Sequence, residues 1–229
     1  MNPKLKILTG FLCFASICQL DAQEYRFELG AIGGVSSYMG EANTDHVLKN
    51  PRPAIGLIGR LNLAGNMSLK ANIGTARIAG STVGRSNLFP QGKDISFESN
   101  LLDASLVYEL GFAQYGVPEF MDGFSRFSPY IALGLGMTGY QADKYRITPH
   151  IPFGVGIRIK AMPRVNLGCE WLFKKTFSDH LDYETKVSGF RLDNAWTGTD
   201  VWNKNKDWYS ILAVFITVDL LGTSPECYK

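Results

Sequence analysis

The feature that most constrains the fold of this chain is an alternation of apolar and polar residues with a period of two. Between Leu102 and Leu110, for example, every second residue is apolar, and Asp103 and Glu109 occupy positions of the opposite parity. Successive side chains of a β-strand point to opposite faces, so this pattern predicts a strand with one apolar face. About eight stretches show the pattern: Tyr25–Ala31, Ile55–Leu63, Met67–Ile73, Leu102–Leu110, Ile131–Thr138, Phe153–Lys160, Val165–Phe173 and Leu212–Leu220. No helical pattern of comparable length competes with them, which predicts an all-β fold.

The connections between these strands differ in length on the two sides of the sheet. Strands two and three meet at a tight turn around Gly65 and Asn66, and strands six and seven meet at a short turn containing Pro163. The connection between strands four and five is of middling length. Longer connections are expected on the other side, at residues 40–52, 80–94 and 178–206, with a short one near residues 142–147. Short periplasmic turns and long outer loops are typical of outer-membrane barrels, so the pattern predicts both termini in the periplasm.

The polar parity of the strands combines small residues with charges of both signs. Its charged members are Arg26, Glu28, Arg60, Lys70, Asp103, Glu109, Arg158 and Glu170. A soluble β-sandwich or lipocalin-like barrel would solvate these charges, whereas a membrane barrel encloses them and turns its apolar face to lipid. Eight strands make a barrel that side chains can just fill. We therefore expect an eight-stranded antiparallel outer-membrane β-barrel in contact with outer-membrane lipid, with a packed polar lumen of ion pairs and no open pore.

Aromatic residues near the strand ends indicate where a membrane barrel would meet the two lipid interfaces. The residues concerned are Tyr25, Tyr108, Tyr130, Trp171, Trp208 and Tyr209. We expect them to form the two outward-facing aromatic girdles of the barrel.

The N-terminus has the features of a secretory signal peptide. Lys4 and Lys6 precede an apolar run, and a cleavage site follows Ala22. The alternative, a lipoprotein acylated on Cys18, is disfavoured by the bulky Ile17 before it. We expect a signal peptide at residues 1–22, a barrel over residues 23–221 and a periplasmic tail at residues 222–229.

Charge and residue spacing argue against several classes of function. The chain has 23 basic and 21 acidic residues, so it lacks the positive excess that nucleic-acid binding requires. Its three histidines are scattered and supply no metal-ligand spacing. We expect no metal, no cofactor and no nucleic acid.

The run around His180 is the one place that suggests catalysis. His180 lies between Asp179 and Asp182, and an aspartate can orient a histidine that activates water. His46 and His150 are not expected to belong to a matching cluster, and no Gly-x-Ser-x-Gly or His-Glu-x-x-His motif is present. We therefore expect no enzymatic activity. We expect instead a turn in which the two aspartates accept backbone hydrogen bonds and neutralise the nearby Lys174 and Lys175.

Three stretches resemble a known family of membrane barrels: "YRFELGAIGGVSSYMGEAN", "FSPYIALGLGMTGY" and "LGCEWLFKKTFSDHLD". Together they resemble the PorG-like family, small outer-membrane barrels of the type IX secretion system in Bacteroidota. The most specific segment is a run that matches the family at Lys174, Lys175, Thr176, Phe177, Ser178, Asp179, Leu181 and Asp182. His180 stands where the family usually has tyrosine, which weakens any argument that the motif needs histidine chemistry.

The resemblance implies a scaffold role in protein secretion. PorG-like barrels are associated with a periplasmic ring that is built from the lipoprotein PorK and its partner PorN, and they are thought to connect that ring to the outer membrane. A PorK-like and a PorN-like protein are therefore the implied partners. The alternatives are a stand-alone surface barrel, an adhesin or ligand-binding protein acting through residues 178–206, and a barrel hydrolase that uses His180.

The C-terminal tail contains a cysteine without an evident partner. Cys169 should face lipid about 15 Å above the Pro163 turn, too far from a periplasmic Cys227 for a disulfide. Cys227 is then either a free thiol or bonded to another chain. Given the resemblance, the ring lipoprotein is the expected partner, and Pro225, Cys227 and Tyr228 are candidate partner-binding residues.

Overall fold

The computed structural model describes residues 25–39, 50–81, 96–118, 123–141, 144–177 and 207–222. The strands are β1 (Tyr25–Met39), β2 (Arg52–Ala64), β3 (Met67–Ser81), β4 (Ser96–Gly111), β5 (Phe127–Gln141), β6 (Tyr145–Met162), β7 (Val165–Thr176) and β8 (Trp208–Gly222). Each strand pairs antiparallel with the next, and β1 pairs with β8, so the sheet closes into a barrel. The expected fold is confirmed. Among the described residues, no helix has the length and hydrophobicity needed to cross a membrane.

The strands extend beyond the alternating segments that predict them. β1, β3, β5 and β8 have 15 residues each, which at about 3.3 Å per residue and a tilt of about 40° rise about 38 Å. The hydrocarbon core of a membrane is only about 30 Å thick. Beyond it, an outward side chain need not be apolar, although the backbone ladder continues. The alternation therefore marks the part of each strand that faces lipid.

The outer surface of the barrel is an apolar belt. Leu57, Leu135 and Val214 are 63%, 70% and 64% exposed, and the outward positions of the other strands are similarly apolar and exposed. Soluble proteins rarely expose a contiguous apolar area of this extent. A belt that surrounds a charged interior is the arrangement of a membrane barrel, with lipid as the solvent of the outer face.

Turns and loops lie at opposite ends of the barrel. We call one end of the barrel the turn side. It holds the turns at Gly65–Asn66 and Pro163–Arg164, the beginning of β1 and the end of β8. The opposite end is called the loop side. At the turn side, backbone hydrogen bonds join the β4–β5 connection to the neighbouring turn and strand, from Tyr115 N to Gly65 O and from Lys160 N to Arg126 O, each at 2.7 Å. This connection is therefore a fixed structure at the mouth of the barrel.

Two of the expected girdle aromatics lie inside the barrel. Tyr130 is 1% exposed and Tyr209 is fully buried, whereas Tyr108 faces outward with 40% exposure. The reason is strand parity. Tyr130 has the same parity as the inward Ala132, and Tyr209 has the same parity as the inward Ala213. Closeness to a strand end was the wrong criterion for these two residues.

Candidate functional site: the charged lumen

The turn-side half of the lumen holds a chain of alternating charges, which we call the turn-side cluster. Its members are Glu28, Arg60, Glu109, Lys70 and Glu170, all at most 2% exposed. Arg60 Nη1 donates to Glu28 Oε2 at 2.7 Å, and Arg60 Nε donates to Glu109 Oε2 at 3.0 Å. Lys70 Nζ lies 2.8 Å from Glu109 Oε1 and also pairs with Glu170. Five charges from five different strands therefore form one continuous network across the lumen.

Neutral side chains complete the hydrogen bonding of these carboxylates. Thr217 Oγ1 donates to Glu28 at 2.7 Å, Ser68 Oγ donates to Glu109 at 3.1 Å, and Tyr130 OH donates to Glu170 at 2.8 Å. A buried ion pair stabilises a protein only when additional hydrogen bonds satisfy the remaining acceptors. The polar residues around the cluster meet that requirement, and they tie β3, β5 and β8 to it.

Arg158 is the buried cation of this region that has no carboxylate partner. Its guanidinium is 2% exposed and lies 4.3 Å above the ring of Tyr115, and Nη1 donates to Ser68 Oγ at 3.3 Å. No described carboxylate lies within ion-pair distance, and its Nε has no hydrogen-bond partner in the described part of the chain. Arg158 shares the inward parity of Glu109 and Glu170, but it makes no direct pair with either, because Arg60 and Lys70 already occupy those carboxylates. Arg158 acts at longer range, as a third positive charge beside three carboxylates.

Replacing Arg158 is therefore expected to cost less stability than removing a bridging cation. Arg158→Met keeps an unbranched chain over the Tyr115 ring and breaks no ion pair, so we expect a loss of about 2 kcal/mol or less, the value of a desolvated cation–π contact. The readout is the urea concentration at which the folded barrel loses its heat-modifiable gel mobility. A loss as large as that of Arg60→Ala would contradict the absence of a direct pair.

The β4–β5 connection closes the turn-side mouth of the lumen with Tyr115. The phenol is 8% exposed, and its OH donates to Asn166 Oδ1 at 2.8 Å. The centroid of its ring is 4.3 Å from the Arg158 guanidinium and 5.6 Å from Lys160 Nζ. Burial raises the pKa of the Tyr115 phenol, and the nearby Glu28 carboxylate raises it further. Asp219 accepts from Asn166 Nδ2 at 2.8 Å and pairs with Lys160. We call residues 112–118 and 123–126 the plug.

The loop-side half of the lumen holds a second group of polar residues around Asp103. Lys174 pairs with Asp103, and Tyr209 OH donates to Asp103 Oδ2 at 2.6 Å. Thr138 Oγ1 lies 2.9 Å from His150 Nδ1 and 2.7 Å from Tyr209 OH. We call these residues the loop-side cluster.

His150 does belong to a cluster with a carboxylate and a hydroxyl group, contrary to the sequence-based expectation. Its Nε2 is 3.5 Å from Asp103 Oδ2 and has no hydrogen-bond partner among the described residues. The ring occupies the space beside Gly136, where a Cβ would lie 2.4 Å from Nε2. His150 is 1% exposed, so the imidazole and its hydroxyl neighbour are enclosed by the barrel wall.

The two clusters are separated by a small cavity. It has a volume of about 40 Å³ and is lined by Asn72, Leu172, Asp103, Glu170 and Lys174, among others. Asn72 Oδ1 and Ser105 Oγ, which face each other on β3 and β4, have no hydrogen-bond partner in the described residues. Asn72 lines the cavity, which has room for an ordered water that would donate to its Oδ1.

The residues of the PorG-like run that begins at Lys174 lie on both faces of β7. Lys174 is buried and pairs with Asp103 inside the barrel, whereas Lys175 lies on the outside, 5.1 Å above the ring of Trp208. Thr176 Oγ1 donates to the backbone oxygen of Asp207 at 2.7 Å, and Phe177 is 39% exposed. The expectation that aspartates of the following turn neutralise both lysines is wrong for Lys174, because Asp103 compensates it.

Several predicted site residues lie outside the described residues. They are Asp179, His180, Leu181, Asp182, Pro225, Cys227 and Tyr228, and the side chain of Arg26 is likewise outside. Cys169 is a free cysteine on the outward parity of β7. In the part of the chain that the structure describes, no group of three His, Cys, Asp or Glu side chains is arranged to hold a metal ion.

The lumen contains side chains that the sequence analysis did not assign to the lumen network. Tyr115, Tyr130, Asn166 and Tyr209 hold its charges in place, and Lys160 and Asp219 form a further ion pair. Parity would have identified all of these except Tyr115, since they share the inward parity of their strands. Nothing in the sequence of the β4–β5 connection indicates that Tyr115 enters the mouth of the barrel.

Comparison with known proteins places this barrel in a family. A family model described as "Domain of unknown function (DUF6089)" matches residues 5–229. The chain belongs to the DUF6089 family. No curated protein matches it.

The DUF6089 barrel is similar to several solved structures. Neisserial surface protein A has 10% sequence identity and a TM-score of 0.48, covering 85% of this chain and 97% of that protein. The N-terminal barrel of OprF from Pseudomonas aeruginosa has 14% identity and a TM-score of 0.42, covering 86% and 99%. The attachment invasion locus protein Ail of Yersinia pestis, in complex with a heparin analogue, has 10% identity and a TM-score of 0.42, covering 86% and 99%.

Proposed function

We propose that this DUF6089 barrel is a non-enzymatic outer-membrane scaffold subunit of the type IX protein secretion machinery. In this proposal it links a periplasmic ring, built from a PorK-like lipoprotein and a PorN-like partner, to the outer membrane. The observation that carries the scaffold role is the lumen, in which ion pairs and hydrogen bonds fill both halves and Tyr115 occupies the turn-side mouth. Such an interior favours a rigid anchor over a conduit. The PorG-like sequence run supports the choice of machinery.

The orientation follows from the asymmetry of the connections. We place the turn side, with both termini and the plug, in the periplasm, and the loop side at the cell surface. The plug is held by backbone hydrogen bonds to the β2–β3 turn and to β6, which makes it a preformed surface on the side where a periplasmic ring would dock.

Co-purification tests the proposed role. The tagged full-length chain is extracted from outer membranes in mild detergent, and the proteins that accompany it are identified. Recovery of a ring lipoprotein together with its partner supports the scaffold role. Recovery of host ligands without ring proteins would instead indicate a surface adhesin. Turnover of a substrate that is lost in His180→Ala would indicate a hydrolase.

Topology gives a second test, using single cysteines placed in the Cys169→Ser/Cys227→Ser background. We expect a cysteine at Met162 or Gly65 to be unreactive toward a membrane-impermeant maleimide on intact cells and reactive after the outer membrane is permeabilised. A cysteine at Tyr145, which is 60% exposed at the loop side, should react on intact cells. Labelling of Met162 on intact cells would reverse the orientation.

The proposed link to the periplasmic ring includes a covalent bond from the C-terminal tail. We expect Cys227 to form a disulfide with a periplasmic partner, namely the ring lipoprotein, because the periplasm is oxidising and Cys169 lies on the outward face of β7. Non-reducing gels of outer membranes should show a high-mass band that disappears with reductant and in Cys227→Ser, but persists in Cys169→Ser. A monomer whose Cys227 still reacts with maleimide would contradict the covalent link.

A further inference from the structure

The outer surface of the barrel has a groove at the loop-side ends of β2 to β6. It has a volume of about 760 Å³, within the range of small-molecule binding sites. Ile55, Leu102 and Gly139 line its lower part, and Arg77, Asn100 and Tyr145 line its upper part. The groove therefore changes from apolar to polar along the barrel axis, in the same direction as a membrane changes from hydrocarbon to headgroups.

The wall of the groove depends on a glycine. A Cβ added at Gly139 would lie 2.0 Å from the hydroxyl oxygen of Tyr145, so the phenol lies directly over the backbone of β5. Tyr145 is 60% exposed and Leu102 is 48% exposed. An aromatic ring that packs flat on one side and remains open on the other presents both an apolar surface and a hydroxyl group to a ligand.

The upper part of the groove carries uncompensated positive charge. Glu98 also lines the groove, but it pairs with Arg52 at 3.5 Å, which leaves the exposed Arg77 without an acidic partner among the described residues. Arg77 is therefore the cation of the groove that no described carboxylate neutralises, and it lies at the boundary of the apolar belt.

We propose that this groove binds a phosphate-bearing lipid. The phosphate group would lie near Arg77 and Asn100, and an acyl chain would run down over Leu102 and Ile55. A charge-assisted contact to phosphate is what a guanidinium forms best. The site does not depend on the secretion partners; only its assignment to the outer leaflet rests on the orientation proposed above.

Native mass spectrometry of the folded full-length chain in detergent tests this site. The probes are dioleoylphosphatidic acid and dioleoylglycerol, which has the same acyl chains without the phosphate. We expect selective retention of phosphatidic acid, and a roughly fivefold loss of its apparent affinity in Arg77→Gln, as for one partly exposed ion pair. The matched control is Arg164→Gln, which removes an exposed cation at the opposite end of the barrel and should leave binding unchanged.

Each other outcome would overturn the site. Equal retention of both lipids would mean that only the apolar belt is involved, and equal losses in both variants would mean unspecific charge attraction. Displacement of the lipid by an equal concentration of inorganic phosphate would indicate a free-anion site. Heat-modifiable mobility of each variant verifies that it is folded, so a loss in Arg77→Gln is not an effect of misfolding.

Discussion

Arg60→Ala is expected to be one of the most destabilising substitutions of a single charge in the barrel. Arg60 is fully buried and bridges Glu28 and Glu109, so its removal leaves two buried carboxylates with a lost partner. Breaking a buried pair by removing one partner typically costs about 3–5 kcal/mol. The urea concentration at which the barrel loses heat-modifiable mobility should fall accordingly.

The matched control is Arg52→Ala. Arg52 also pairs with a glutamate, Glu98, but both side chains are nearly half exposed, and exposed pairs contribute about 0–1 kcal/mol. Arg60→Met is a second comparison, because it fills more of the space with an apolar chain yet still leaves Glu28 without its ion-pair partner. Equal stability of Arg60→Ala and Arg52→Ala would mean that the lumen is hydrated enough to screen its charges.

Gly30→Ala is expected to prevent normal closure of the barrel between β1 and β8. A Cβ at Gly30 would lie 1.9 Å from the backbone oxygen of Ile216 and 2.6 Å from the Cα of Thr217. Relief of this contact requires movement of the strand backbone itself, so we expect a cost of about 3 kcal/mol, at the upper end for added bulk in a packed interior. The yield of folded, heat-modifiable protein on refolding should fall.

Gly33→Ala is the control on the same strand. A Cβ at Gly33 would have no atom within 4 Å, because this residue has the outward parity of β1. The two variants therefore make the same chemical change three residues apart, on opposite faces of the wall. If Gly33→Ala lowers the folded yield as much as Gly30→Ala, the effect would be one of β-strand propensity and not of interior space.

The alternation of apolar and polar residues predicted most of the barrel wall, because the wall separates lipid from a polar interior. Each lipid-facing position needs an apolar residue and each lumen position needs a small or polar one, so alternation identifies both faces. Glu28, Arg60 and Glu109 were identified in this way, and they are buried in the lumen. The ends of β3 and β6 could not be identified, because that constraint disappears beyond the hydrocarbon.

The sequence does not predict which charges pair with each other inside the lumen. Parity places Arg158, Glu109 and Glu170 on the same face, but the contacts depend on the stagger of the strands around the barrel. That stagger brings Lys70 of β3 across the lumen to Glu170 of β7 and places Arg158 over Tyr115. Tyr115 belongs to a connection with no periodicity, so its position could not be predicted.

Site-specific photocrosslinking in cells tests the scaffold role most directly. A photoreactive phenylalanine analogue is placed at Gln114, an exposed residue of the plug, or at Tyr145, an exposed residue of the loop side. The scaffold account predicts an adduct with the ring lipoprotein or its partner from Gln114 and none from Tyr145. An adduct with ring proteins from Tyr145 alone, or adducts only with extracellular proteins, would contradict it.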